Sequence, residues 1–143
     1  MNKQRLAILI TAAIGAFSTF LPWGYVPFLG SINGVASEEW NTLFYFSITI
    51  LICIIGNRNN RLKGIPLYIA IITAILAGII GVDTISHING KSLISSGIGM
   101  NSNPFRRGNI TSVGIGLYLI VLAGFVIPFI AFLIKDTIKE TVE

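Results

Sequence analysis

The stretch FLPWGYVPFLG, residues 20–30, marks where the first apolar run of the chain gives way to a loop. Proline lacks an amide hydrogen and fixes its own backbone, so a helix is expected to end at Pro22. Residues 6–22 follow a short basic start and predict a transmembrane helix. We expect this helix to be retained, not cleaved as a signal, because the apolar run continues past the small-residue site near Ala16.

The composition is that of an integral membrane protein. Of 143 residues, 53% are hydrophobic and 11% are charged, and the mean hydropathy is +0.79. A soluble domain typically carries about 25% charged residues. The net charge is +4, but the basic residues flank apolar runs and form no patch with interleaved aromatics, so we expect a lipid bilayer and no nucleic acid as partner. The single cysteine, Cys53, excludes an intrachain disulfide and a two-cysteine redox mechanism.

Three further apolar segments predict helices over residues 41–56, 66–87 and 113–134. The outer loops are then residues 23–40 and 88–112, and the inner loop is residues 57–65. The predicted fold is an all-α membrane protein: one domain over residues 1–143, a four-helix transmembrane bundle with a small extracytoplasmic cap that includes short β-strands.

Finer patterns refine this prediction. The turn signal at residues 31–34 predicts a β-hairpin in the first outer loop, and the apolar residues of the second outer loop predict short strands packed on the first. Small residues recur on span three at Ala70, Ala74 and Gly78, and on span one at Ala7, Thr11 and Gly15. We expect these two stripes to face each other. In span four, Pro128 predicts a kink.

The distribution of basic residues predicts the orientation. Seven of the ten fall on one side of the predicted membrane, namely Lys3, Arg5, Arg58, Arg61, Lys63, Lys135 and Lys139. By the positive-inside rule, both termini are cytoplasmic in a multi-pass protein of the cell membrane.

Aromatic side chains at the outer edge are candidate interaction residues. Trp23, Tyr25 and Trp40 lie where amphipathic aromatics anchor at the headgroup level, and they are also expected to form a minor core of the cap.

Ionisable residues give the second set of candidates. Asp83 is the only acid at membrane depth, and His87, four residues on, shares its helix face. The pair could share a proton or a metal, but a metal site needs about three or four ligands, and no other His or Cys is near, so no metal is predicted. The alternative is that Asp83 pairs with Arg106 or Arg107 and ties the long loop to the helices. Arg106 and Arg107 could also bind a phosphate headgroup or an acidic partner.

Two motifs resemble small bacterial four-span membrane proteins of unassigned function. They are Leu21-Pro22-Trp23 at the outer end of span one and the segment GIGLY, residues 114–118, at the start of span four. The resemblance implies no activity. Claudin-like proteins are similar in architecture only, since they carry a cysteine pair in the first loop that this chain lacks.

Three functional hypotheses remain. The first is a non-enzymatic accessory or interaction protein that binds a membrane protein partner, or itself, through its cap and helix faces; an immunity protein is a special case. The second is a small oligomeric transporter or channel subunit that uses Asp83 and His87. An enzyme is disfavoured, and no cofactor is expected, because no paired acids, nucleophile–base set or metal cluster is visible.

Overall fold

The computed structural model describes residues 1–26, 30–35, 40–55, 59–88 and 112–134. Within them the chain forms four helices and a small three-stranded antiparallel sheet. The elements in chain order are α1 (Lys3–Ser18), β1 (Pro22–Val26), β2 (Gly30–Asn33), α2 (Trp40–Ile54), α3 (Ile65–Ile88), β3 (Ser112–Val113) and α4 (Ile115–Leu133).

The helix boundaries follow local capping chemistry. At α1, the Asn2 side-chain oxygen accepts a hydrogen bond from the Gln4 amide at 2.9 Å, as an N-cap residue does. Before α3, Gly64 takes a positive φ of 64°, which a residue without a Cβ adopts at little cost. Pro66 then occupies the first turn, where its missing amide hydrogen is not needed. In α4, the helix continues through Pro128 to Leu133.

The four helices pack in a ring, in which α1 and α3 each contact both α2 and α4. They alternate in direction, which gives the molecule two ends. We call the end that carries β1–β3 the sheet end. We call the other end, where α1 and α3 begin and α2 and α4 finish, the basal end.

The small-residue stripe of α3 faces α4, so the prediction that it faces α1 is wrong. A Cβ atom on Gly124 would lie 2.6 Å from the Cα of Gly78, which shows how closely the two backbones approach. On α1, Gly15 instead lies under the ring of Phe46 from α2. The fully buried face of α1 includes Ile8 and Ala12, one position along from the predicted Ala7 and Thr11.

The first outer loop forms the predicted β-hairpin, but with a different turn. β1 pairs with β2 from Pro22 opposite Asn33 to Val26 opposite Gly30. Residues 31–33 therefore lie in a strand and do not form the turn between the two strands. Pro22 also begins β1, whereas the sequence predicted that α1 would continue to it; α1 ends at Ser18.

The segment immediately before α4 supplies the third strand. β3 pairs with β1 through Gly24 opposite Val113 and Tyr25 opposite Ser112. Ser112, the last residue of the predicted second outer loop, confirms that this loop contributes strand structure that packs on the first. Val113 was predicted to begin span four but lies in the strand, so that boundary is wrong. Residues 89–111, where the remaining expectations for this loop fall, lie outside the described residues.

Candidate functional site

Trp23 is the central side chain of the sheet end. It sits at an irregularity of the β1–β2 pairing, between Pro22 and Gly24. A bulge of this kind re-aims a side chain, and the indole of Trp23 is 0% exposed. Its Nε1 donates to the Ser18 carbonyl oxygen at 3.1 Å, so the polar edge of the ring is satisfied inside the protein.

Two glycines make room for this ring. A Cβ on Gly34 would overlap the six-membered ring of Trp23, and a Cβ on Gly116 would lie 2.8 Å from its Cδ1. Two backbone hydrogen bonds fix the segments on either side of this ring. The Gly34 amide donates to Thr19 O at 2.9 Å, and the Gly114 amide donates to Trp23 O at 2.8 Å. The predicted minor core of the cap therefore has Trp23 at its centre, and Trp23 is not a headgroup anchor.

Tyr25 and Trp40 differ from Trp23 in that they face outward. Tyr25 is 43% exposed on β1, and Trp40 is 54% exposed at the first position of α2. These two aromatics lie on the outer surface of the sheet end, so the prediction that they form part of the minor core is wrong.

Asp83 and His87 meet as the sequence predicted, one turn apart at the end of α3. His87 Nε2 lies 3.3 Å from Asp83 Oδ2, and the side chains are 17% and 24% exposed, respectively. Asp83 Oδ1 is buried and has no hydrogen-bond partner among the described residues. Arg106 and Arg107 lie outside those residues, so the alternative pairing with Asp83 stays a prediction.

The basal end is closed by polar side chains that the sequence did not single out. Gln4 is 0% exposed, and its Nε2 donates to the Ala131 carbonyl oxygen at 2.8 Å. Arg61 Nη2 donates to the same oxygen at 3.0 Å. A single carbonyl near the end of α4 is thus bound by the start of α1 and by the segment that precedes α3.

Arg5 binds carbonyl groups at the end of α2 in the same way. It is 7% exposed, and its Nη1 donates to the carbonyl oxygens of Cys53 at 3.3 Å and Ile55 at 3.1 Å. The last carbonyls of a helix lack partners within the helix and form the negative end of its dipole. Arg5 satisfies both requirements. Of these polar residues, Gln4 could have been found from the sequence, because it shares one helical face with Ile8, Ala12 and Gly15, which are all buried.

One pair of hydroxyl groups joins two helices inside the ring, whereas the buried Thr42 hydroxyl on α2 has no hydrogen-bond partner among the described residues. The hydroxyl groups of Thr49 on α2 and Thr73 on α3 share a hydrogen bond of 2.9 Å. Within the described residues, no group of three or more His, Cys, Asp or Glu side chains could hold a metal ion. The described polar side chains form hydrogen bonds to carbonyl groups at helix ends and between helices.

Comparison with protein-family models, with curated proteins and with solved structures gives no match. The resemblance to small bacterial four-span proteins stays a prediction, and the function is argued below from the structure alone.

Proposed function

We propose that this chain is a non-enzymatic accessory protein of the cell membrane, with all four helices in the bilayer and the sheet end as its contact surface. The observation that carries the membrane part is an inverted distribution of side chains. Large apolar side chains cover the outside of every helix, among them Ile10, Ile14 and Phe17 on α1, Phe44 and Leu51 on α2, Ile72 and Leu76 on α3, and Leu122, Phe125 and Phe129 on α4.

Many buried positions between the helices carry small side chains, beside large ones such as Phe46, Leu117 and Ile120. Alanine, glycine and threonine recur there, as at Ala74, Ala77 and Gly78 on α3 and Thr42 and Thr49 on α2. Small residues between helices and large apolar residues outside are the arrangement expected where the surroundings are as apolar as leucine. In water, such a surface would exceed any ordinary exposed patch.

Two described helices are long and apolar enough to cross a membrane by themselves: Ile65–Ile88, with a mean hydropathy of 2.5, and Ile115–Leu133, with 2.6. Only 39% of the most apolar stretch of either helix is buried, whereas the core helix of a soluble protein is mostly buried. At 1.5 Å per residue they are about 36 and 28 Å long, against a hydrocarbon core of ~30 Å. α1 and α2 are shorter, and the sheet lies over the end where α1 finishes.

The charges support an orientation with the basal end in the cytoplasm. All four basic residues in the described part of the chain, Lys3, Arg5, Arg61 and Lys63, belong to that end. The positive-inside rule places such residues on the cytoplasmic side.

The sheet end supports the interaction part of the proposal. Trp23 and its glycines fix the hairpin on the helices, so Tyr25, Trp40 and the exposed Ser31 of β2 are displayed on a built surface. Exposed aromatic side chains on a rigid platform are typical of contact sites.

Cysteine labelling tests location and orientation together. In a Cys53→Ala background, Ser31→Cys at the sheet end and Asn60→Cys at the basal end are both at exposed positions. A membrane-impermeant maleimide applied to intact cells should label Ser31→Cys, while Asn60→Cys should react only after permeabilisation. Equal labelling of both, or release of the protein from membranes by alkaline carbonate, would overturn the membrane proposal.

A photocrosslinking residue tests the contact surface. Placed at position 31, it should give one discrete protein adduct, either a dimer of this chain or a complex with a partner. The matched probe at position 60 should give none. Adducts with lipid alone at position 31 would remove the support for an interaction role.

The second candidate function is a transporter or channel subunit, which the pairing of Asp83 with His87 favours. Ionisable groups within membrane helices are functional candidates by default. In this case Asp83→Asn should abolish transport by the reconstituted protein but leave crosslinking from position 31 unchanged. Unaltered transport in that variant would exclude a role for Asp83.

A further inference from the structure

The basal end contains an open recess of about 410 Å³, lined by Asn2, Asn59, Asn60, Arg61 and Lys63. Among the described residues that line it, all side chains are polar, two carry a positive charge and none carries a negative charge. We infer that this recess binds the phosphate of an anionic lipid headgroup. The inference rests on the membrane location proposed above and not on the interaction role.

Arg61 supplies a fixed positive charge. Its bond to Ala131 O uses one donor, at Nη2, and a guanidinium group has five N–H donors. The bond also reduces the freedom of the side chain before a ligand arrives, which lowers the entropy lost on binding. Planar donors of this kind match the oxygens of a phosphate.

Lys63 supplies a second, mobile charge on the rim. The side chain is exposed, and the next residue, Gly64, turns the chain into α3. The asparagines add amide donors that a phosphate oxygen accepts. The first turns of α1 and α3 both point to this end, and the positive ends of their dipoles add to the same potential.

The charges of the described residues favour an anion as the ligand. Asp83, at the opposite end of the molecule, is the one carboxylate side chain within the described ranges. When the helices span a bilayer, the recess lies where they leave the hydrocarbon, at the depth of the phosphate groups of the cytoplasmic leaflet. Anionic lipids of that leaflet are attracted to such basic sites.

Native mass spectrometry of the full chain in mixed micelles tests the inference. The probes are phosphatidylglycerol, phosphatidylcholine of equal chain length, and inorganic phosphate. The variant Lys63→Gln removes a charge from the recess, and Lys3→Gln is its control, because Lys3 is exposed near the same end but does not line the recess.

We expect wild type to retain phosphatidylglycerol in preference to phosphatidylcholine. In Lys63→Gln, the preference for phosphatidylglycerol should fall about fivefold, the effect of roughly one basic residue near a charged headgroup. In Lys3→Gln, the preference should be unchanged. Equal losses in both variants would show diffuse attraction and overturn the site. Retention of inorganic phosphate without phosphatidylglycerol would assign the recess to a soluble phosphate and overturn the lipid ligand. A protein that stays in membranes but shows no preference would overturn this inference alone.

Discussion

The two ends of this molecule are closed by opposite means. At the sheet end, a large apolar side chain is surrounded by backbone, and Gly34 and Gly116 are needed because any side chain there would overlap Trp23. At the basal end, polar side chains close the helix ends: Gln4 and Arg5 are buried, Arg61 is half-buried, and the three bind carbonyls at the ends of α2 and α4. Helix ends can thus be closed by shape, meaning an apolar side chain packed against backbone, or by charge, meaning polar and charged side chains that bind the carbonyl groups.

The contrast has a physical reason in the segments that join the helices. Each end contains two helix C-termini, whose carbonyl groups require donors, and at the basal end α2 and α4 obtain these donors from Gln4, Arg5 and Arg61. At the sheet end the connections are long enough to fold, so the backbone supplies its own hydrogen bonds through β1, β2 and β3. Apolar packing is then sufficient there.

The largest effect is expected from Trp23→Ala, which removes the side chain that the sheet end is built around. Truncation of a fully buried aromatic typically costs about 3–5 kcal/mol, and it removes one of two hydrogen bonds that Ser18 O accepts, the other coming from the Leu21 amide. The measurement is the free energy of unfolding in mixed detergent micelles. Trp40→Ala is the matched control, because this tryptophan is 54% exposed and should change stability little. Equal effects of the two substitutions would contradict a sheet end sealed by shape.

At the basal end, Arg5→Met tests closure by charge. Methionine keeps the apolar stem but leaves the carbonyls of Cys53 and Ile55 without this donor. Hydrogen bonds from charged groups contribute about 1.5–3 kcal/mol, so we expect a loss in that range by the same unfolding measurement. Lys3→Met removes an exposed charge on the same helix and serves as control. If Arg5→Met were as stable as wild type, the basal end would not depend on charge.

A smaller effect is expected where the helices cross between the two ends. In Gly124→Ala, the new methyl group would meet Gly78 Cα at 2.6 Å and Ala74 O at 2.8 Å, both backbone atoms that cannot move aside. At the partner glycine, the new methyl group of Gly78→Ala would lie 3.4 Å from its nearest atom, an ordinary contact. Overpacking typically costs about 1–3 kcal/mol. We therefore expect Gly124→Ala to be destabilised within that range and Gly78→Ala to stay close to wild type. Equal stability of the two variants would show that closure by shape is confined to the sheet end.

The sequence predicted the elements better than their contacts. Four apolar segments and a turn-rich loop predicted four helices and a hairpin, because hydrophobic runs and turn residues act locally. The predicted position of the hairpin turn was wrong. The Asn33-Gly34 pair is a local turn signal, but in the folded protein Gly34 packs against the ring of Trp23. Local sequence propensity does not show which aromatic side chain will pack against a given glycine.

The candidate residues were predicted unevenly for the same reason. Asp83 and His87 are one turn apart, so their contact followed from helix geometry alone. The role of Gln4 depends on Ala131, which is 127 positions away in sequence, and no local pattern relates them. Trp23 was predicted as both anchor and core residue, and only the packing of β1 on α1 and α4 decides between the two.

The shared carbonyl of Ala131 has a consequence for biogenesis. Because translation runs from the N-terminus, Gln4 is made before Ala131, so its amide, which is fully buried in the folded protein, lacks this acceptor while α1, α2 and α3 are made. Until α4 is made, the amide must form its hydrogen bonds elsewhere. The basal end can therefore close only after α4 is present, so the order of translation sets the order of its assembly.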